Sequence, residues 1–219
     1  MPPKSKTQDK PAPTHSLKTT YLLGYNALSA LLWFAVLGRV VSIGAKNGVR
    51  NGKVYRDTEE FCRLTQSLAG LEVLHSLLGI VRAPLLTTLM QVASRFLLVW
   101  GIANNFPETT QHSPAYSSML VAWSVTEVIR YSYFVFVLSG NGVPALWTWL
   151  RYNTFLVLYP LGVASETWLI YQAIPSASQI DEKFGFALYA ILATYVPGFY
   201  ILFTHMLKQR TKIMRSKAV

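Results

Sequence analysis

Apolar residues gather into six stretches along the chain, at 21–43, 62–82, 84–104, 115–139, 146–171 and 184–207. Each comes close to or exceeds the roughly 20 residues that a helix needs to cross a hydrocarbon core. Polar and charged residues collect at the two ends and in short connections, and no internal repeat is visible. The pattern predicts an all-α, polytopic membrane bundle of six transmembrane helices. It divides the chain into a disordered cytosolic tail at 1–20, a membrane domain at 21–207 that carries every candidate catalytic residue, and a basic cytosolic tail at 208–219.

The apolar stretches are interrupted in a regular way. Within 150–170, LRYNTFLVLYPLGVASETWLI, a 4, 4, 3, 4 spacing puts Arg151, Phe155, Tyr159, Gly162 and Glu166 on one helical face. A charge at membrane depth is costly unless it is paired or faces a polar cavity, so it marks a candidate functional site. Gly162 offers no side chain between Tyr159 and Glu166 and leaves room for a ligand. Pro160 removes the helical bond to the carbonyl of Leu156 and predicts a kink there. The competing reading makes Tyr159 a buried aromatic and pairs Glu166 with Arg151 or with an arginine of another helix.

Other stretches repeat the device. The second holds Glu72, His75 and Gly79 on one face, the third Gln91 and Arg95, the fourth Glu127, Arg130 and Tyr131. These faces together can wall a polar cavity while Leu, Val and Phe meet lipid. On the structural alternative, Glu72, Glu127 and Glu166 balance Arg95, Arg130 and Arg151 as three buried ion pairs, Glu127 with Arg130 among them.

Composition agrees with a membrane protein: 52% of residues are hydrophobic and the mean hydropathy is +0.30. The formal net charge of +10 comes from short basic segments beside apolar spans, which points to membrane-flanking charge and to lipid contact, not to nucleic acid. Basic residues at both ends (Lys4, Lys6, Lys10 and Lys18, then Lys208, Arg210, Lys212, Arg215 and Lys217) place both termini in the cytosol. The connection 44–60, with Lys46, Arg50, Lys53 and Arg56, runs against that rule. The terminal RSKAV is similar to dibasic signals that return membrane proteins to the endoplasmic reticulum.

A single cysteine, Cys62, excludes an intrachain disulfide and a cysteine-built metal centre, and the four histidines show no ligand spacing, so no metal is expected. The first twenty residues lack the apolar core of a cleaved signal peptide. The run HSLLGIVRAP at 75–84 imitates the phosphate loop HCxxGxxR of tyrosine phosphatases, but Ser76 stands where the thiolate is needed, with no evident base to activate it.

LRYNTFLVLYPLGVASE, preceded by LEVLHSLLGIVR, QVASRF and TEVIRY, closely resembles the very-long-chain (3R)-3-hydroxyacyl-CoA dehydratases of fatty-acid elongation, a family also called protein-tyrosine-phosphatase-like. The resemblance covers nearly all of the chain beyond the N-terminal tail. It implies a six-span lyase of the endoplasmic reticulum that converts long-chain 3-hydroxyacyl-CoA to trans-2-enoyl-CoA without a cofactor, alongside other elongation enzymes. It also implies Tyr159 and Glu166 as the catalytic pair, with Glu72, Gln91, Arg95, Glu127, Arg130, Arg151 and Gly162 as substrate-binding or supporting positions.

Such a dehydration needs a base for the proton beside the thioester carbonyl and an acid for the departing hydroxyl. Glutamate suits the first role and tyrosine the second, with ordinary pKa values of about 4.3 and 10, although the reverse assignment is chemically open. Arg82 and the basic tails are candidates to meet the phosphates of CoA. A non-catalytic membrane adaptor of the elongation complex is the alternative, and a small transporter ranks below it for want of inverted repeats.

Overall fold

A computed structural model describes residues 16–140 and 142–216. Among them every regular element is helical: α1 (Leu17–Asn47), α2 (Lys53–Ser67), α3 (Gly70–Leu77), α4 (Leu85–Phe96), a π-helical continuation (Leu97–Ala103), α5 (Pro107–Thr110), α6 (Pro114–Ser139), α7 (Ala145–Asn153), α8 (Phe155–Ile180) and α9 (Glu182–Ser216). Local chemistry sets several ends. The Ser16 hydroxyl accepts from the Thr19 amide at 3.3 Å and caps α1, and Pro114 opens α6 where its missing N–H costs nothing. Gly140, at φ 76°, closes α6 in the left-handed region.

Four helices among the described residues are long and apolar enough to cross a membrane: α1, the continuous 85–103 unit, α6 and α9. The second and fifth apolar stretches differ from single expected spans. Helix α2 starts at Lys53, well before 62, and the stretch breaks at Leu68 and Ala69, where Ser67 donates to the Arg63 carbonyl at 2.8 Å and Tyr25 to the Leu68 carbonyl at 3.2 Å. The fifth breaks at Thr154, between α7 and α8, while α8 runs on through Pro160 and Pro175. Asn153 and Thr154 turn their side chains onto the carbonyls of Trp149 and Leu150, both at 2.8 Å. Thr154 keeps right-handed helical dihedrals, φ −64° and ψ −27°, so α7 and α8 meet at a local irregularity that falls ahead of the proline.

The tails differ too. Helix α1 takes in 17–20, and α9 carries Lys208, Arg210, Lys212 and Arg215 within a helix to Ser216; 1–15 and 217–219 of the expected tails lie outside the described residues. Helix α1 packs along α6, and α8 lies between α6 and α9. The core holds Trp33, Val36, Leu98, Ile102, Met119, Leu120, Leu169 and Ile170, and the central position of α8 brings its polar face against two partners.

Candidate active site

Glu166 projects from α8 toward both neighbouring helices. Its Oε1 accepts the indole N–H of Trp123 from α6 at 2.8 Å, and its Oε2 accepts the hydroxyl of Tyr195 from α9 at 3.0 Å. It has no salt bridge among the described residues and is only partly buried. One turn away, Gly162 is buried, and a Cβ there would stand 3.8 Å from Glu166 Oε1 and 3.8 Å from the Ala122 Cβ. Gly162 puts no side chain of its own against the carboxylate on that side.

Tyr159 completes this face. Its ring stacks on Phe199 and Phe203 of α9, with centroids 5.3 and 6.2 Å away and planes within 13° and 9°. Its hydroxyl has no hydrogen-bond partner among the described residues, and it lies within electrostatic reach of Glu166. Seven residues of helix separate the two by about 10 Å along the axis, and helical side chains lean toward the N-terminus, so Glu166 leans toward Tyr159. Phe155 packs on Phe203 at 5.9 Å.

Arg151 leaves the stripe. The break at Thr154 separates α7 from α8, and the Arg151 guanidinium lies over Tyr133 and Phe134 of α6, at 4.5 and 5.0 Å, with no carboxylate partner among the described residues. The pairing of Glu166 with Arg151, or with any arginine, does not form.

The remaining charges make one chain instead of separate pairs. Arg130 donates to Glu72 at 2.6 and 3.0 Å and to Glu127 at 2.6 Å. Arg95 donates to the other oxygen of Glu127, and Tyr131 donates to Glu72. Two acids thereby neutralise two arginines, which keeps the buried charge balanced. Gln91 stays outside: it is exposed on α4, while Arg95 turns inward to Glu127. The network reaches Glu166 indirectly, because the Arg95 guanidinium sits over the Trp123 ring at 4.9 Å and the edge of that ring holds the carboxylate.

Trp123 and Tyr195 are the contacts that sequence reasoning missed. Trp123 lies at i with Glu127 at i+4 and Arg130 at i+7, so the helical face that carries those two could have found it. Tyr195 carried no such signal, since tyrosines in apolar helices more often meet the lipid interface.

The phosphatase-like run is occupied with structure. His75 Nε2 bonds the Tyr21 hydroxyl at 2.8 Å, and the Ser76 hydroxyl donates to the Ala83 carbonyl at 2.8 Å across a loop in which Gly79 adopts φ 67°. Arg82 is exposed. The loop joins two helices, with no strand beside it among the described residues.

The helical bundle thus holds on one helix, α8, a carboxylate with no ion pair among the described residues and a phenol. The chain belongs to the family described as Protein tyrosine phosphatase-like protein, PTPLA, whose model matches residues 66–216. It is 43% identical over 205 residues to the probable very-long-chain (3R)-3-hydroxyacyl-CoA dehydratase of Schizosaccharomyces pombe, covering 92% of this chain and 96% of that one. It is 38% identical to the very-long-chain (3R)-3-hydroxyacyl-CoA dehydratase PASTICCINO 2B of Oryza sativa subsp. japonica, covering 91% and 95%. Against very-long-chain (3R)-3-hydroxyacyl-CoA dehydratase 2 of Homo sapiens the identity is 35%, covering 90% and 82%. No solved structure matches the chain.

Proposed function

We propose that this protein removes water from a long-chain 3-hydroxyacyl-CoA to give the trans-2-enoyl-CoA, the dehydration step of fatty-acid elongation, with Glu166 and Tyr159 as base and acid. The observation that carries the reading is the state of Glu166: a carboxylate in an apolar bundle, free of any cation pair among the described residues and held by two neutral donors. Glu72 and Glu127, by contrast, are tied to arginines.

The hydrogen bonds favour one division of labour. Two donors on its oxygens suit Glu166 as an ionised acceptor, and each oxygen keeps a lone pair for a proton. Tyr159 has no cation in contact with it among the described residues to hold a phenolate, so it supplies the proton. The proton on C2 passes to Glu166 and the C2–C3 π bond forms as the C3–O bond breaks. The hydroxyl leaves as water with the proton of Tyr159, and solvent carries a proton from Glu166 back to the phenol. The change is redox-neutral. Arg151 and Gln91 belong to the substrate path in this reading, and the paired network supports the bundle.

The protein crosses the endoplasmic reticulum membrane six times, with α2–α3 and α7–α8 as the second and fifth crossings, both termini cytosolic, and other elongation enzymes as neighbours. Glycosylation acceptors inserted between α1 and α2 are modified if this topology holds and stay bare if it does not.

Detergent-purified protein turning 3-hydroxyacyl-CoA into enoyl-CoA, with a loss of about a hundredfold or more in both Glu166→Gln and Tyr159→Phe, is the expected result. Near-normal turnover by both variants removes the pair from the chemistry.

A further inference from the structure

Glu166 and Tyr159 sit on one helix, yet the contacts that hold them come largely from another. In α9, Tyr195, Phe199 and Phe203 follow i, i+4, i+8 and share a face. Tyr195 binds Glu166 Oε2 at 3.0 Å. Phe199 and Phe203 stack on Tyr159 and on each other, the last pair 5.3 Å apart and within 12° of parallel. The other carboxylate oxygen is held from α6 by Trp123, whose ring is fixed by Arg95 over its face and by Trp33 at 6.4 Å, near-perpendicular at 76°.

We propose that Tyr195 is a positioning residue of this site, which with Trp123 fixes the plane of the Glu166 carboxylate while the same face of α9 fixes the ring of Tyr159. The inference rests on the dehydratase reading. A glutamate carboxylate bound at one oxygen still turns about its last torsion, which is broad and weakly restrained. Donors from opposite sides stop that rotation and aim the free lone pairs at one place. The aligned face of α9 then sets the separation between the group that takes a proton and the group that gives one, a distance that acid–base catalysis on a single substrate cannot let drift.

The test uses the full-length purified chain. Tyr195→Phe keeps the ring and removes only the donor, so kcat falls about tenfold to a hundredfold, the loss expected for a hydrogen bond to a charged group. KM for the acyl-CoA stays within about twofold and the thermal midpoint in detergent is kept, since a lost donor on a preorganised base acts on the chemical step. Trp123→Phe gives the same kinetic signature. The double variant with Glu166→Gln is no slower than Glu166→Gln alone, because the donor acts through the carboxylate. Wild-type kcat in Tyr195→Phe, or a loss carried by KM, overturns the inference and leaves the dehydratase reading standing. A loss in Tyr195→Phe as complete as in Glu166→Gln, with Tyr159→Phe still active, also overturns it and makes Tyr195 the acid. A folded wild-type protein that fails to dehydrate any 3-hydroxyacyl-CoA overturns both.

Discussion

Arg130 grips Glu72 through two guanidinium donors, at 2.6 and 3.0 Å, and joins α6 to α3 across 58 residues of sequence. Its third donor goes to Glu127 at 2.6 Å. Removing the guanidinium strips Glu72 of its cation inside the bundle and leaves Glu127, 4% exposed, with Arg95 alone. Arg130→Ala therefore destabilises the folded protein by about 3 kcal/mol or more. Arg130→Lys recovers only part of this, because an ammonium cannot supply the planar fork. Thermal unfolding in detergent measures both.

Arg151 tells the opposite story. It touches the rings of Tyr133 and Phe134 and no acid among the described residues, so its removal strands no charge. Arg151→Ala costs about 1 kcal/mol of stability, the scale of cation–π contact. If Arg151 serves the substrate, the same variant raises KM for the acyl-CoA severalfold while unfolding hardly changes. A stability loss equal to that of Arg130→Ala would show a hidden ion pair instead.

Ser76 is bound to the Ala83 carbonyl, which closes the loop that imitates a phosphatase. Ser76→Ala removes one neutral hydrogen bond, worth about 1 kcal/mol, and leaves dehydration within about twofold. The wild type releases no phosphate from an aryl phosphate. Hydrolysis that disappears in Ser76→Ala would reinstate the nucleophile.

Much of this was legible in the chain, for physical reasons. Apolar runs report burial or lipid directly, which is why the helical bundle and the face of Tyr159, Gly162 and Glu166 could be read from spacing. The irregularities at Leu68 and Thr154 could not, because both residues keep right-handed helical dihedrals and neither is a glycine or proline that would mark a stop. Charge balance suggested three pairs. Which acid stays unpaired depends on how helices rotate against each other, and that rotation gave Glu127 two arginines and Glu166 none. The donors on Glu166 are aromatic, and Tyr195 looks like any membrane tyrosine until α8 and α9 are packed together.

Gly162 offers the sharpest separation of fold from function. A methyl there meets Ala122 and Glu166 Oε1 at 3.8 Å, ordinary contact distances, so the bundle accommodates Gly162→Ala without rearrangement. Alanine in place of glycine within a helix adds up to about 1 kcal/mol of stability. The same methyl adds a contact on the carboxylate oxygen that Trp123 holds. A substrate whose C2 must approach Glu166 from that side loses the space, so kcat/KM falls about tenfold or more while the thermal midpoint holds or rises. Activity retained alongside a higher midpoint would place the substrate on the other side of Glu166, next to Tyr195, and would move the search for the acyl channel to the α8–α9 seam.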